Sequence, residues 1–374
     1  MNVLYPPARQ HRPTVRRVLS VLGAAVTAMV ALAACSLSPG ETNDDSTLTI
    51  AVWKGYGADL PWVGADFKEK TGATLKFQYI DSEANMLQMV EKANGSIDVA
   101  LPNIQYIGHG IDRELFHELD TARLQNFADI YPDFSGRNEI RRDGKLYGLP
   151  WTWGSAGLFC DSVQVAGPCD TLGVLWDPQY KGKIALIDDP TVLIPITALY
   201  LGLDPQNPDL DAITPALQEL KENAKMTYSS SDDLVKAITS GAVVAGIGNS
   251  DTIGNLLASG VPGAENITYS VAKEGAVGWI DNWSISAKTK KLDLAYEWLN
   301  YMTGKEFLST WAETPEDESP APANKAVVDG FTPETDQRLQ ANTDKISQLA
   351  LQLPQPEERM QSWVDAWTQV KASF

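Results

Sequence analysis

Past residue 46 the chain alternates between short apolar runs and amphipathic stretches. Leu48-Thr49-Ile50-Ala51-Val52 is a β-type run. Residues 58–70 carry helical spacing, with Pro61 near the start and Thr71-Gly72 closing it. Thr74 to Tyr79 reads as a strand, Ala84 to Lys92 as a helix, and Ile97 to Leu101 as a strand stopped by Pro102. The middle repeats the alternation. Lys183 to Ile187 is a strand ending in Asp188-Asp189-Pro190, and Thr191 to Leu201 a helix. Leu234 to Ser240 is a helix, and Val243 to Ile247 a strand ending at Gly248-Asn249. Leu292 to Met302 is a strongly apolar helix. Glu357 to Lys371 is amphipathic, with Met360, Trp363, Val364, Trp367 and Val370 on one face. Strands alternating with helices predict an α/β fold with a largely parallel sheet. Ligands of such sheets bind beyond the carboxyl ends of the strands. That rule singles out Trp53-Lys54-Gly55-Tyr56 and Pro102-Asn103-Ile104-Gln105.

The first 34 residues have a different pattern. Arg9, Arg12, Arg16 and Arg17 form a basic segment, and an apolar run follows from Val18 to Ala34. A basic region, an apolar region and small residues before a cut site predict a secretory signal over 1–34. A retained membrane anchor is the alternative reading of so long a run. Leu32-Ala33-Ala34-Cys35 resembles the bacterial lipobox, in which the Cys thiol takes the lipid. A plain secretory cut or a buried Cys35 would be the plainer readings. Arg16-Arg17 is a weak twin-arginine signal, because Ser20 stands where a basic residue is usual. Residues 35–46 are polar and without periodicity, as a flexible tether would be.

The formal charge is −18, and it becomes −22 once the four leader arginines are removed. So acidic a chain repels nucleic acid and anionic membrane. The length after the leader exceeds one typical core and predicts two domains. After Cys35 only Cys160 and Cys169 remain, flanking a short loop with Gly167-Pro168. An even pair in an exported chain reads as a disulfide; two free buried thiols are the alternative.

Catalytic patterns are missing. Of His11, His109 and His117, one is in the leader, and no Cys/His spacing suits zinc. There is no nucleophile elbow, phosphate loop or dinucleotide fingerprint. No metal or cofactor is expected, and a hydrolase is the weakest reading: Asp188 and Asp189 are adjacent and would diverge.

Trp53, Tyr56, Trp151, Trp153 and Trp279 stand outside the periodic core stretches. In Trp279-Ile280-Asp281 a ring and a carboxylate share one side of an extended segment. An organic ammonium uses both, through cation–π contact and a charge-assisted hydrogen bond. The alternative is a core Trp279 and a turn Asp281.

Several ordered segments resemble the periplasmic spermidine/putrescine-binding family of ABC importers. They are Val52-Trp53-Lys54-Gly55-Tyr56, Phe67-Lys68-Glu69-Lys70-Thr71-Gly72 and Asp98-Val99-Ala100-Leu101-Pro102. Further along come Tyr147-Gly148-Leu149-Pro150-Trp151-Thr152-Trp153-Gly154 and residues 175–183, then residues 273–281. The resemblance implies a two-lobed periplasmic-binding-protein type II fold with a hinge and an interlobe ligand cleft. One lobe would take 47–152 and 281–325, the other 153–280 and 326–374.

What it further implies is capture without chemistry of a polyamine, putrescine-like or spermidine-like, or of a related small organic cation. The protein would be a monomer, lipid-anchored on the extracytoplasmic face, delivering to an ABC permease. Trp53, Tyr56, Asn103, Gln105, Asp189, Trp279 and Asp281 carry over as ligand contacts, with Lys54 beside them. Three departures weaken the case for a long polyamine. Val192 replaces an acid, Gly248 replaces a Trp, and Lys54 adds a cation. A shorter diamine suits them better, or an opine-like or amino-acid-like ligand on the same fold.

Overall fold

The computed structural model describes residues 46–314, 319–340 and 343–373. The leader, Cys35 and the tether through residue 45 lie outside the described residues.

The opening α/β units form where the apolar pattern places them. β1 (Thr47–Val52), α1 (Val63–Thr71), β2 (Thr74–Tyr79), α2 (Glu83–Ala93) and β3 (Val99–Ala100) follow in order. β1 pairs in parallel with β2 on one side and β3 on the other. α1 stops at Gly72, whose φ of 76° is costly for a residue with a Cβ. α2 starts after Ser82, whose hydroxyl accepts the Asn85 N–H. α3 (Ile104–Asp112) starts two residues after the proline that stops the third strand, with Asn103 between them as its cap.

Two long strands organise everything after that. Past α4 (Pro132–Ser135) and the hairpin of β4 (Arg141–Arg142) and β5 (Lys145–Leu146), β6 runs from Leu149 to Asp161 and is buried almost throughout. A second unit follows: β7 (Ile184–Ile187), α5 (Pro190–Tyr200), α6 (Leu210–Asn223), β8 (Ala224–Tyr228), α7 (Ser231–Thr239) and β9 (Ala245–Asn249). It continues through α8 (Ser250–Ser259) and β10 (Ile267–Ser270), and β11 (Ala276–Ile285) returns. β6 and β11 are antiparallel neighbours from Ala156↔Val277 to Leu149↔Trp283. The sheet order is β2-β1-β3-β11-β6-β9-β7-β8. This one strand pair therefore carries the sheet from the first lobe into the second.

Each lobe has its own core. Ile50, Phe67, Trp151, Trp283 and Trp298 belong to the first, and Leu158, Leu186, Ile196, Leu217 and Trp367 to the second. Membership changes between Trp153 and Ala156 on β6, and between Val277 and Ile280 on β11. The chain then builds α9 (Leu292–Thr303), α10 (Lys305–Glu313), β12 (Ala321–Pro322), α11 (Lys325–Val328) and α12 (Pro333–Leu339). The return to the second lobe, expected after 325, comes later. Val327, Leu339, Ile346 and Leu351 still pack in the first core. The crossing is made by β13 (Leu349–Leu351), which pairs in parallel with β11, and α13 (Glu357–Ala372) then covers the second core. On α13, Trp363, Trp367 and Val370 are buried, but Val364 is 41% exposed, so the apolar face is narrower than expected. Asp188 ties this helix down, accepting from Lys371 Nζ at 2.8 Å and Trp367 Nε1 at 2.6 Å. Cys160 and Cys169 are bonded, with Cα atoms 6.1 Å apart.

Trp151 and Trp153 are core residues of β6, which corrects the view that they stand outside the core: both are buried, Trp151 completely. Trp151 stacks on Trp311 at 5.0 Å between ring centroids and donates Nε1–H to the Met302 carbonyl at 2.9 Å. Nothing periodic marks them because a strand lying between two lobes is buried on both faces. Trp151→Ala is expected to lower stability by about 3–5 kcal/mol, as for other large-to-small core changes. Urea unfolding measures it, and a loss under about 1 kcal/mol would show that Trp151 carries no packing.

Candidate functional site

The site grows from an irregularity in the central strand pair. β11 follows β6 in register to Asp281↔Thr152, and a bulge between Asp281 and Asn282 then shifts the pairing. Bulges re-aim side chains and cluster at functional sites. Asp281 is 8% exposed, and both of its oxygens are engaged. It accepts the Tyr56 O–H at 2.8 Å and an Asn103 Nδ2–H at 3.0 Å. Tyr56 stands just beyond β1 and Asn103 just beyond β3, at the carboxyl ends of two parallel strands. The Tyr56 hydroxyl also lies 3.2 Å from Thr152 Oγ1.

Asn103 links this carboxylate to a second one. Its Oδ1 accepts the Gln105 N–H, which caps α3. Its backbone N–H donates to Glu83 Oε2 at 3.1 Å, and the other Glu83 oxygen accepts Trp53 Nε1–H at 3.3 Å. A continuous chain of hydrogen bonds thus runs from Trp53 through Glu83, Asn103 and Asp281 to Tyr56 and Thr152.

The acids here are short of positive charge. Burial pushes Asp281 up to about 6 and the Asp251 charge adds to this, against the hydrogen bonds from Tyr56 and Asn103. Burial, and then the charge of Asp281, push Glu83 up to about 8, against the Asn103 and Trp53 N–H groups. Asp189 is raised by its burial, and Asp188 adds to the effect. Burial raises Tyr106 to about 12, and Glu83 and Asp189 push it the same way. Among the described residues, no lysine, arginine or histidine forms an ion pair with Glu83, Asp189 or Asp281.

The remaining expected residues divide. Trp279 lies opposite Gly154 on β6, two residues from Asp281 and on the same face of β11. A Cβ at Gly154 would come within 2.3 Å of the Trp279 ring, so only glycine leaves the ring this seat. Trp279 is half-buried; neither the core tryptophan nor the turn aspartate of the alternative reading is found. Asp189 caps α5, accepting both the N–H and O–H of Thr191 at 2.7 Å, while Asp188 turns away to α13. Gln105 lines a small recess with Thr191, Gln206, Gln352 and Gln355, where the β13 crossing begins. Lys54 is exposed and forms no ion pair among the described residues. Val192 is buried in the second core, and a Cβ at Gly248 would press on Ile253 at 2.9 Å.

Glu83 and Asp251 were not foreseen. Each sits in the first turn of a helix just after a strand, where an acid is ordinarily read as complementing the helix dipole. Thr152 and Tyr106 gave no signal, because only the strand pairing and the helix packing bring them to the site. Tyr106 also lines a groove of about 370 Å³ between α2 and α3 on one side and α13 on the other.

Two α/β lobes joined by shared strands, with an acidic and aromatic site at the junction, define a two-lobed solute-binding protein of type II fold. The profile of the bacterial extracellular solute-binding protein family matches residues 62–343, and the chain belongs to that family, whose members bind a solute without transforming it. It is 22% identical to the putrescine-binding periplasmic protein of Escherichia coli over 293 residues, 74% of this chain and 79% of the relative. Its fold matches the spermidine/putrescine ABC transporter substrate-binding protein of Streptococcus pneumoniae with a TM-score of 0.74, at 22% identity, covering 87% of this chain and 99% of that one. It also matches an Agrobacterium tumefaciens B6 binding protein solved with glucopine, with a TM-score of 0.66 at 18% identity, covering 87% and 99%.

The raised carboxyls have a consequence for stability. Between its unfolded and folded values such a group binds more protons in the folded state, so stability falls as pH rises through that window. For Glu83 the window runs from 4.5 to about 8, and for Asp281 from 3.8 to about 6. Without ligand, wild type is expected to lose ground to Glu83→Gln as pH rises from 5 to 8. It loses ground to Asp281→Asn mainly below pH 6. Thermal melts of the three proteins across pH 4–9 read this directly, and differences that stay flat with pH contradict the charge assignments.

Proposed function

We propose that the protein captures a small organic cation, a diamine of the putrescine kind or a related amine, and delivers it to an ABC permease. The observation that carries this reading is Asp281, a buried carboxylate coupled to Glu83 and Asp251, with no cationic side chain ion-paired to Glu83 or Asp281 among the described residues. An ammonium supplies the missing charge. The half-buried rings of Trp53 and Trp279 offer it π faces worth about 0.5–2 kcal/mol each. Relatives that are putrescine-binding and spermidine/putrescine-binding proteins agree with this chemistry. Closure of the lobes about β6, β11 and the β13 crossing would bury the ligand.

The glucopine-bound neighbour keeps an opine-like ligand as the second reading. Lys54 was the residue that favoured it, and the exposure of Lys54 away from Asp281's hydrogen bonds weakens it. Anchoring through a lipid on Cys35 belongs to the same proposal.

Asp281→Asn keeps the shape and removes the charge. Stranding a buried ammonium costs about 3–5 kcal/mol, so the dissociation constant for putrescine is expected to rise by about two to four decades. Calorimetric titration measures it; near-wild-type affinity with an intact melting curve would show that the site is not built around this acid. For the anchor, Cys35→Ser is expected to leave the protein unprocessed or released. Normal acylation of that variant would end the lipobox reading.

A further inference from the structure

Glu83 plays no part in the reading so far except as background charge, yet its position is unusual. It opens α2 at the end of β2, and its two oxygens are spanned by donors from two other segments: Trp53 Nε1–H from the β1 loop and Asn103 N–H from the α3 cap. Asn103 reaches Asp281 with its side chain in the same conformation. One asparagine therefore bridges two carboxyls, one on each side of its own Cα.

The surroundings do not balance these charges. From β11 the facing group is Asp281, and from α3 it is Tyr106. Beyond them stand Asp189 at the α5 cap, Asp251 in the first turn of α8, and the Tyr56 hydroxyl. All of these are acids or phenols. No cationic side chain pairs with Glu83 or Asp281 among the described residues. Asp281 is buried and Glu83 half-buried, and two carboxylates bridged by one asparagine in such a setting resist ionising together without a counter-charge. In the empty site the available counter-charge is a proton; in the filled site it is the ligand.

We propose that Glu83 is the second carboxyl of the ligand site, and that a cationic ligand enters by displacing a proton from the Glu83–Asn103–Asp281 bridge. This rests on the cation reading of the site given above. The exchange is balanced: the ammonium replaces the carboxyl proton as the positive partner, and the proton leaves to the buffer. Glu83 thereby sets specificity. A neutral solute, or one that brings a carboxylate to this end of the site, provides no charge to replace the proton. The elevated value of Glu83, about 8, agrees with the geometry and places the exchange at neutral pH.

The test is calorimetric titration of putrescine and of spermidine into the full folded protein at pH 7, in phosphate and in Tris, whose ionisation enthalpies differ. Wild type is expected to release nearly one proton per ligand, and its affinity to rise nearly tenfold per pH unit from pH 6 to 7.5. Glu83→Gln is expected to bind with most of that proton release gone and a flatter pH profile. Equal heats in the two buffers, with tight binding by wild type, overturn the exchange and leave the cation reading standing. Proton release that persists undiminished in Glu83→Gln overturns the assignment to Glu83. Absence of binding of either amine by wild type overturns the cation reading, and this inference falls with it. If Glu83→Gln does not fold, the wild-type comparison between buffers decides the exchange, and Glu83→Asp, which keeps the titrating group, is expected to retain the release.

Discussion

The antiparallel pairing of β6 with β11 is the constraint on which the rest of this protein depends. Both strands begin in one lobe and end in the other, so their ladder is at once the floor of two sheets and the hinge between two bodies. A strand in that position has no solvent face. It fills with large side chains such as Trp151, Trp153 and Trp283, and it tolerates glycine where a neighbour must come close, as Gly154 does beneath Trp279. The bulge after Asp281 falls just inside the first core, a few residues past the point between Val277 and Ile280 where the two cores part. It sets a carboxylate beside the strand ends of the first lobe, next to the crossing.

Parallel strands contribute the other half of the site. β1 and β3 finish side by side, and the residues beyond them, Trp53, Tyr56 and Asn103, reach Asp281 or Glu83 by hydrogen bonds. These contacts are braced from behind. Tyr56 packs edge-on against Trp151 at 5.6 Å and against Trp311 at 6.1 Å, so its hydroxyl is aimed by rings that are themselves buried in the first core. The polar network is thus held by apolar packing, and a core substitution at Trp151 would loosen the site as well as the fold. Gathering several acids here costs stability in the empty protein, and the cation proposed above would recover it, coupling ligand, proton and folding free energy in one place.

Much of the frame was legible along the chain. The alternation of apolar runs and amphipathic stretches placed β1, β2, α5, α9 and α13 within a residue or two: α9 and α13 carry the period of a one-sided helix, while β1 and α5 are short apolar runs bounded by polar, Gly or Pro residues. The rule that ligands sit beyond strand ends pointed to Trp53, Tyr56 and Asn103, and the fold joins all three to Glu83 or Asp281 by hydrogen bonds. The spacing of Trp279 and Asp281 put a ring and a carboxylate on one side of a strand, and the family resemblance set the lobe boundary beside them. β6 escaped periodicity altogether, since burial on both faces erases the period of two.

What the sequence by itself determined is therefore local: where elements start and stop, which tips carry aromatic and polar side chains, and a charge balance that disfavours anionic partners. What only the tertiary structure decided is which of those tips meet. Glu83, Thr152, Asp251 and Tyr106 lie on four separate elements, and no spacing within any one of them announces the site. Asp188 and Asp189, neighbours in the chain, part company, one to pin α13 and the other to face the junction. Lys54 and Tyr56, two residues apart, end with one in solvent and the other on Asp281. Burial and the field of other charges come from residues distant in the chain, so a carboxyl's charge at neutral pH can be read only after the lobes have been assembled around it.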